Sequence, residues 1–184
     1  YTDGPFLVEL TPGGGAAKPG KFVRANRLAG YKDAENGDWK FLNIDANTLE
    51  PVMPKGSVGH RWDKAGGNWN MKFEDGLTNA PYEPLLTFLE KKEGVMDVEF
   101  TEFAGDIKAV RSVPFRTVTA ADGSKISVAT VYDLLLAQYG VSRGLGGAYP
   151  ASYDDELASY TPAWQEKFTG VSREALIKFA REWS

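Results

Sequence analysis

His60 is the only imidazole in the chain, and no cysteine accompanies it. An imidazole serves a nucleophile triad only with a Ser and a carboxylate brought beside it, and no nucleophile-elbow pattern is present. One His cannot build a His-rich metal site. In Gly59-His60-Arg61-Trp62 it is expected to pack in a loop. Zero Cys excludes disulfides, zinc ribbons and Cys-ligated iron–sulfur clusters within these residues.

The remaining candidates are carboxylates, glycines and aromatics. Acids lie close together at Asp154-Asp155, at Glu35 near Asp33 and Asp38, and at Glu99 near Glu102. Two carboxyls do glycosidic or metal chemistry only at a fixed separation. Asp154-Asp155 precedes a helix pattern and is expected to supply capping and first-turn charge. Gly13-Gly14-Gly15 and Gly144-Leu145-Gly146-Gly147 lack the Lys-Ser/Thr of a phosphate loop and the dinucleotide spacing, so they read as turn and linker. The second, with Arg143, could also reach toward a nucleotide or a partner surface. Trp39, Trp62 and Trp69 could form a sugar-binding platform, or serve as core. Lys91-Lys92, flanked by Glu90 and Glu93, reads as solvated surface.

The elements that must position these residues are strands first, helices later. Phe6–Leu10 is a short apolar run that ends at Pro12-Gly13-Gly14-Gly15. Lys21–Arg24 and Trp39–Ile44 are further strand candidates, the latter after an Asn36-Gly37 turn. Asn68–Phe73 alternates with period two, placing Trp69, Met71 and Phe73 on one face. Val95–Phe103 and Ile107–Val118 predict strands, and Ala121–Ser124 predicts a tight turn into Lys125–Val128. From Thr130 to Tyr139 the pattern is helical, with Thr130 as cap, Asp133 in the first turn and Gly140 as stop. A second helix is capped by Thr161, has Pro162 at its first position and ends at Gly170. A third is capped by Ser172 and carries one apolar stripe of Ala175, Leu176, Phe179, Ala180 and Trp183. The expected class is α+β. Residues 1–128 read as a β- and loop-rich inserted segment and 129–184 as a helical segment that rejoins a parent αβα domain. No internal repeat is evident.

The 184 residues suffice for one core, and 42% hydrophobic with 25% charged content fits a globular chain. A net charge of −4 with acids and bases interspersed argues against a nucleic-acid face. No window reaches the roughly 20 apolar residues of a membrane span. The start at Tyr1 and the helical pattern still running at Trp183 suit an internal fragment.

A series of motifs then stands in one order along the chain. It begins with Tyr1-Thr2-Asp3-Gly4-Pro5-Phe6-Leu7-Val8 and passes through Arg24-Ala25, Glu35-Asn36, Trp39-Lys40, Gly56-Ser57-Val58-Gly59, Arg61-Trp62 and Trp69-Asn70. It continues with Thr130-Val131-Tyr132-Asp133-Leu134, Arg143-Gly144-Leu145, Tyr153-Asp154-Asp155, Tyr160–Glu166, Thr169–Glu174 and Ala180–Trp183. In this order they resemble the catalytic (alpha) subunit of membrane-bound respiratory nitrate reductase, among the molybdopterin oxidoreductases. Gly4 departs from the bulkier residue usual there, and the family more often has Phe where His60 stands. Gly147 to Pro150 and Trp183 lean toward the wider clade of nitrite oxidoreductase and the selenate, chlorate and ethylbenzene-type enzymes.

The resemblance implies molybdenum held by bis(molybdopterin guanine dinucleotide), a 4Fe-4S cluster, an iron–sulfur beta subunit and a membrane anchor subunit. Nitrate and nitrite would be the substrate pair, and membrane association would come through the partner subunits, on the cytoplasmic or periplasmic face. The family's iron–sulfur ligands and molybdenum-ligating Asp match no residue here, so no catalytic, cofactor-binding or metal-binding residue is carried over. The expected role is scaffold around cofactor and substrate channel. The rivals are a free-standing β-rich binding module using Trp39, Trp62 and Trp69, and a subunit-contact insert without a ligand.

Overall fold

The computed structural model describes residues 3–55, 73–103 and 107–183. The chain divides into two units. One comprises Tyr1–Thr11, Pro19–Gly94 and Pro114–Asp133, and the other Pro12–Lys18, Val95–Val113 and Leu134–Ser184. Strands and three short α-helices among the described residues make the class α+β, as expected.

In the first unit, β1 (Leu7–Thr11) runs antiparallel to β7 (Lys125–Thr130), with Leu7 opposite Thr130 and Glu9 opposite Val128. The later half of β6 (Lys108–Thr119) flanks β7 on its other side, Arg116 facing Val128. The turn between them works because Gly123 takes φ +84° and Asp122 accepts from the Ser124 amide and hydroxyl. β2 (Lys18–Phe22) lies outside β1, so the order here is β2-β1-β7-β6. One face of this sheet buries Leu7, Val118, Ile126 and Val128 with Leu42, Ile44, Met53 and Phe88 from the loops. Two-residue strands β3 (Asn43–Ile44) and β4 (Pro51–Val52) form a small hairpin beside that core.

In the second unit, β5 (Gly94–Thr101) neighbours the earlier half of β6. Val98, Phe100, Ala109 and Val113 are buried there with Leu134, Ala137 and Ala163. The helices are α1 (Val131–Gln138), α2 (Pro162–Thr169) and α3 (Arg173–Trp183). Their ends follow the local chemistry. The Thr161 hydroxyl accepts from the Trp164 amide at 3.0 Å, Pro162 fills the first turn, and Gly170 closes α2 at φ +71°. Thr130 caps α1 through the Asp133 amide, and Ser172 caps α3 through the Ala175 amide.

Two strand expectations shift. The second strand is Lys18–Phe22 rather than Lys21–Arg24, because none of its residues is buried and its place is set by its neighbour β1 instead of by its own apolar pattern. Of Trp39–Ile44 only Asn43–Ile44 is strand, since Trp39 and Lys40 close the Asn36 turn through amides donated to the Asn36 carbonyl. The Asn68–Lys72 part of the alternating stretch, with Trp69, and also His60 and Trp62 lie outside the described residues.

Candidate functional site

In the first unit, buried carboxylates organise the loops. Asp45 and Asp75 head two turns built alike. In one, Asp45 accepts from the amides of Asn47 and Thr48 and from the Thr48 hydroxyl, and Thr48 Oγ1 in turn accepts from the Glu50 amide. In the other, Asp75 accepts from the amides of Leu77 and Thr78 and from the Thr78 hydroxyl, and Thr78 Oγ1 accepts from the Ala80 amide. The fifth residue of each, Leu49 and Asn79, has a positive φ of 63° and 59°. The shared spacing, an Asp, a Thr three later and a Pro three after that, is a local repeat that the sequence reading missed.

Each Asp also ties its turn to a distant segment. Asp45 Oδ1 accepts from the Glu83 amide at 3.1 Å. Asp75 Oδ2 accepts from the Tyr31 hydroxyl at 2.6 Å and the Met53 amide at 3.2 Å. Burial alone would raise both carboxyls. The Tyr31 hydroxyl and the amides of Thr78, Leu77 and Met53 outweigh it at Asp75, so that carboxyl titrates below its ordinary value. At Asp45 the Glu83 amide, the Thr48 hydroxyl and the Asn47 and Thr48 amides do the same. The nearby phenols move the other way. Burial, then the bond to Asp75, raises Tyr31, and burial pushes Tyr82 up to about 12. Asp133, wholly buried, is a third hub, accepting from the hydroxyls of Thr87 and Thr130 and the Phe88 amide. A cavity of about 560 Å³ in this unit is lined by Tyr31, Glu50, Glu93, Arg116 and Lys125 among others. In its lining Arg116 pairs with Glu93 and donates to the Lys91 carbonyl.

The second unit is held by Arg111. Its side chain is 2% exposed and pairs with Glu102, 5% exposed, at 2.7 Å. Nε donates to the Ala148 carbonyl at 2.7 Å, and Nη1 donates to the last α1 carbonyls, Ala137 and Gln138, both at 3.0 Å. The guanidinium fork thus neutralises a buried acid, satisfies a helix C-terminus and pins the Gly-rich link. That link runs against β6: the Ser112 amide donates to the Gly146 carbonyl and the Ala148 amide to that of Val110. At Gly147, φ is +116°, and a Cβ would sit 2.6 Å from both Arg111 Cα and the Val110 carbonyl oxygen.

The sequence candidates resolve as follows. Gly144–Gly147 is a packed link, not a phosphate loop. Asp154-Asp155 does not cap α2, because Thr161 holds that position. Asp155 instead accepts from the amides of Leu157 and Ala158, and Asp154 pairs with Arg173 at 3.2 Å. Glu99 and Glu102 part company: Glu99 is held below its usual range by the Lys108 ammonium and binds Lys108 and Lys18, while Glu102 faces Arg111. Asp33, Glu35 and Asp38 are exposed. Lys91 and Lys92 donate to the carbonyls of Ala46 and Leu89. Trp39 is exposed on its turn. Arg111 was missed, although an Arg inside the apolar strand run Ala109–Phe115 is itself a signal of a buried charge needing an acid.

A further feature of the second unit is apolar. Phe103, Trp164 and Phe168 cluster with ring centroids 4.8–6.1 Å apart, and Tyr160 and Tyr139 extend the row. Tyr153, Pro162, Leu176, Ile177, Ala180 and Arg181 line a second cavity of about 400 Å³. Among the described residues no group of three His, Cys, Asp or Glu side chains is placed to hold a metal ion.

No family model matches the chain. Similarity to individual proteins is extensive. The chain is 38% identical over 196 residues to the respiratory nitrate reductase 1 alpha chain of Escherichia coli, and 37% identical over 186 residues to the nitrate reductase alpha chain of Bacillus subtilis. It is 36% identical over 189 residues to the nitrate reductase alpha subunit of Mycobacterium tuberculosis. Each match takes in 100% of this chain and 15–16% of the relative's length.

Proposed function

We propose, from the premise that this chain belongs along its full length to the nitrate reductase alpha-chain family, that it is a supporting segment of the catalytic subunit of a respiratory nitrate reductase. The observation that carries this is the 36–38% identity that takes in 100% of the chain. In the complete subunit, nitrate would take up two electrons and two protons and leave as nitrite and water. Molybdenum with bis(molybdopterin guanine dinucleotide) and a 4Fe-4S cluster are the groups such an enzyme needs. The residues described here do not fit as their ligands: the chain has no Cys, and no three-residue His/Asp/Glu group is assembled among the described residues. No step is therefore assigned to them.

What these residues do is positional. Asp45, Asp75 and Asp133 freeze loops that hydrophobic burial alone would leave free to slide, and Arg111 locks α1 to the Gly-rich link. Rigid support of this kind lets a neighbouring cofactor and substrate channel keep their geometry. The change from strand to helix at Thr130–Val131 supports the reading that residues 129–184 rejoin an αβα parent domain. An iron–sulfur beta subunit and a membrane anchor subunit complete the enzyme and hold it at the membrane. Among the described residues no helix is long and apolar enough to cross one.

The test is the complete subunit that carries this chain, purified and supplied with reduced viologen. Nitrate should be consumed with equimolar nitrite formed, and molybdenum should be present. A molybdenum-loaded subunit that ignores nitrate but turns over selenate or chlorate would overturn the substrate, and a subunit without molybdenum would overturn the class.

A further inference from the structure

The second unit leaves several large apolar side chains uncovered. None of the eleven residues of α3 is buried, although its apolar residues gather on one side: Leu176, Ile177, Phe179, Ala180 and Trp183. Trp183 is 83% exposed and Phe103 69% exposed, while Phe168, Phe179 and Leu157 are also open. α2 and α3 are held side by side by Arg173, which pairs with Glu166 at 3.1 Å, and by the Gln165 amide, which donates to the Val171 carbonyl. Two sets of ion pairs keep clear of the stripe: Arg173 engages Asp154, Glu156 and Glu166, and Lys178 faces Glu182 one turn along. An amphipathic helix gains its stability in water by covering its apolar side, and an aromatic surface with its charges set aside resembles a core cut open more than a transient contact.

We propose that this surface is an interface inside the alpha chain: the α3 stripe and the Phe103–Trp164–Phe168 cluster are covered by further polypeptide of the same subunit. The inference rests on the reading above and adds the location of one internal seam to it. The occupant follows from two facts together. The relatives offer some six-sevenths of their length beyond the part matched, so covering polypeptide is available in cis. The surface is apolar and aromatic at its centre, which suits a permanent contact formed during folding. The 400 Å³ recess beside Leu176 and Ala180 would receive apolar side chains of the covering segment.

Photo-crosslinking reads this directly. A benzoylphenylalanine is placed at Phe179 or at Phe168 in the complete subunit, with Lys178 on the other side of α3 as control. Illumination should leave the subunit at monomer mobility, with crosslinked peptides joining positions 179 and 168 to alpha-chain sequence outside these 184 residues, and no such product from position 178. A dimer band would assign the surface to a second copy, a heterologous band to another subunit, and no product at all to solvent. Each of these overturns the proposal. Should the probe disturb folding, hydroxyl-radical footprinting of the unaltered subunit replaces it. Phe179 and Trp183 oxidised no faster than buried Phe88 support the proposal, and free oxidation overturns it. None of these readouts uses nitrate turnover, so an in-cis crosslink in a subunit inactive on nitrate would sink only the functional reading.

Discussion

Replacing Arg111 by Met would remove a charge but keep most of the apolar stem. Four bonds vanish together: one to Glu102, two to the end of α1 and one to Ala148. Glu102 would be left buried and unpaired, which costs about 3–5 kcal/mol. Local opening of the link should ease by the same amount, so amide exchange in the complete subunit should quicken by roughly 10²- to nearly 10⁴-fold. The reporters are the Ser112 and Ala148 amides, which bond the Gly146 and Val110 carbonyls. Glu102→Gln keeps an acceptor for Arg111 and should cost only about 1–2 kcal/mol. Adding Glu102→Leu to Arg111→Met removes the orphaned charge and should recover part of the loss. Recovery stays incomplete, because the carbonyls of Ala137, Gln138 and Ala148 still lack a donor, at about 1 kcal/mol or more each. Exchange at Ser112 and Ala148 within about three-fold of the parent in Arg111→Met would show that the clasp does not hold this link.

Other consequences are readable in the same way. Gly147→Ala forces a Cβ onto Arg111 Cα and the Val110 carbonyl and should melt the link, whereas Gly144→Ala meets nothing within 4 Å and should cost only about 1–2 kcal/mol for its positive φ. Exchange at the Ser112 amide compares the two. Thr161→Ala should fray the first turn of α2 by about 1 kcal/mol while Thr161→Ser should not, as read at the Trp164 amide. Asp45 and Asp75 have folded values below their unfolded ones, so the stability they give is present above the unfolded carboxylate value and is lost as pH falls through the folded one. In acid unfolding, Asp75→Asn should flatten that limb. Tyr82, raised to about 12, contributes stability that is complete below about 10 and lost as pH rises toward its folded value. Tyr82→Phe should therefore make the alkaline limb, followed by phenolate absorbance, less steep.

Legibility in the sequence followed the range of the interactions. Thr161, Pro162 and Gly170 announce α2 because a cap, a fixed φ and a left-handed stop act within one turn of chain. Asp122-Gly123 announces the β6–β7 turn for the same reason. β2 was misplaced because none of its side chains is buried, so no period marks it. Thr161 is legible as the α2 cap, whereas the charge of Asp154 goes to Arg173 and Asp155 heads its own turn at Leu157 and Ala158, outcomes set by the fold and not by the spacing. Arg111 left its mark as a cation in an apolar strand run, but its carbonyl partners Ala137 and Ala148, like Thr87 for Asp133, stand at separations that only folding closes.

The two Asp-headed turns share their bonds but not their occupants. Asn79 sits comfortably at φ 59°, whereas Leu49 takes φ 63° against its own Cβ and reaches the core cluster in doing so. A protein engineer has here a ready-made donor and acceptor: residues 75–81 grafted onto positions 45–51 would import the relaxed corner while surrendering one greasy anchor. Whichever of the two outcomes dominates in melting experiments would reveal whether that corner was selected for ease of bending or for what its side chain plugs.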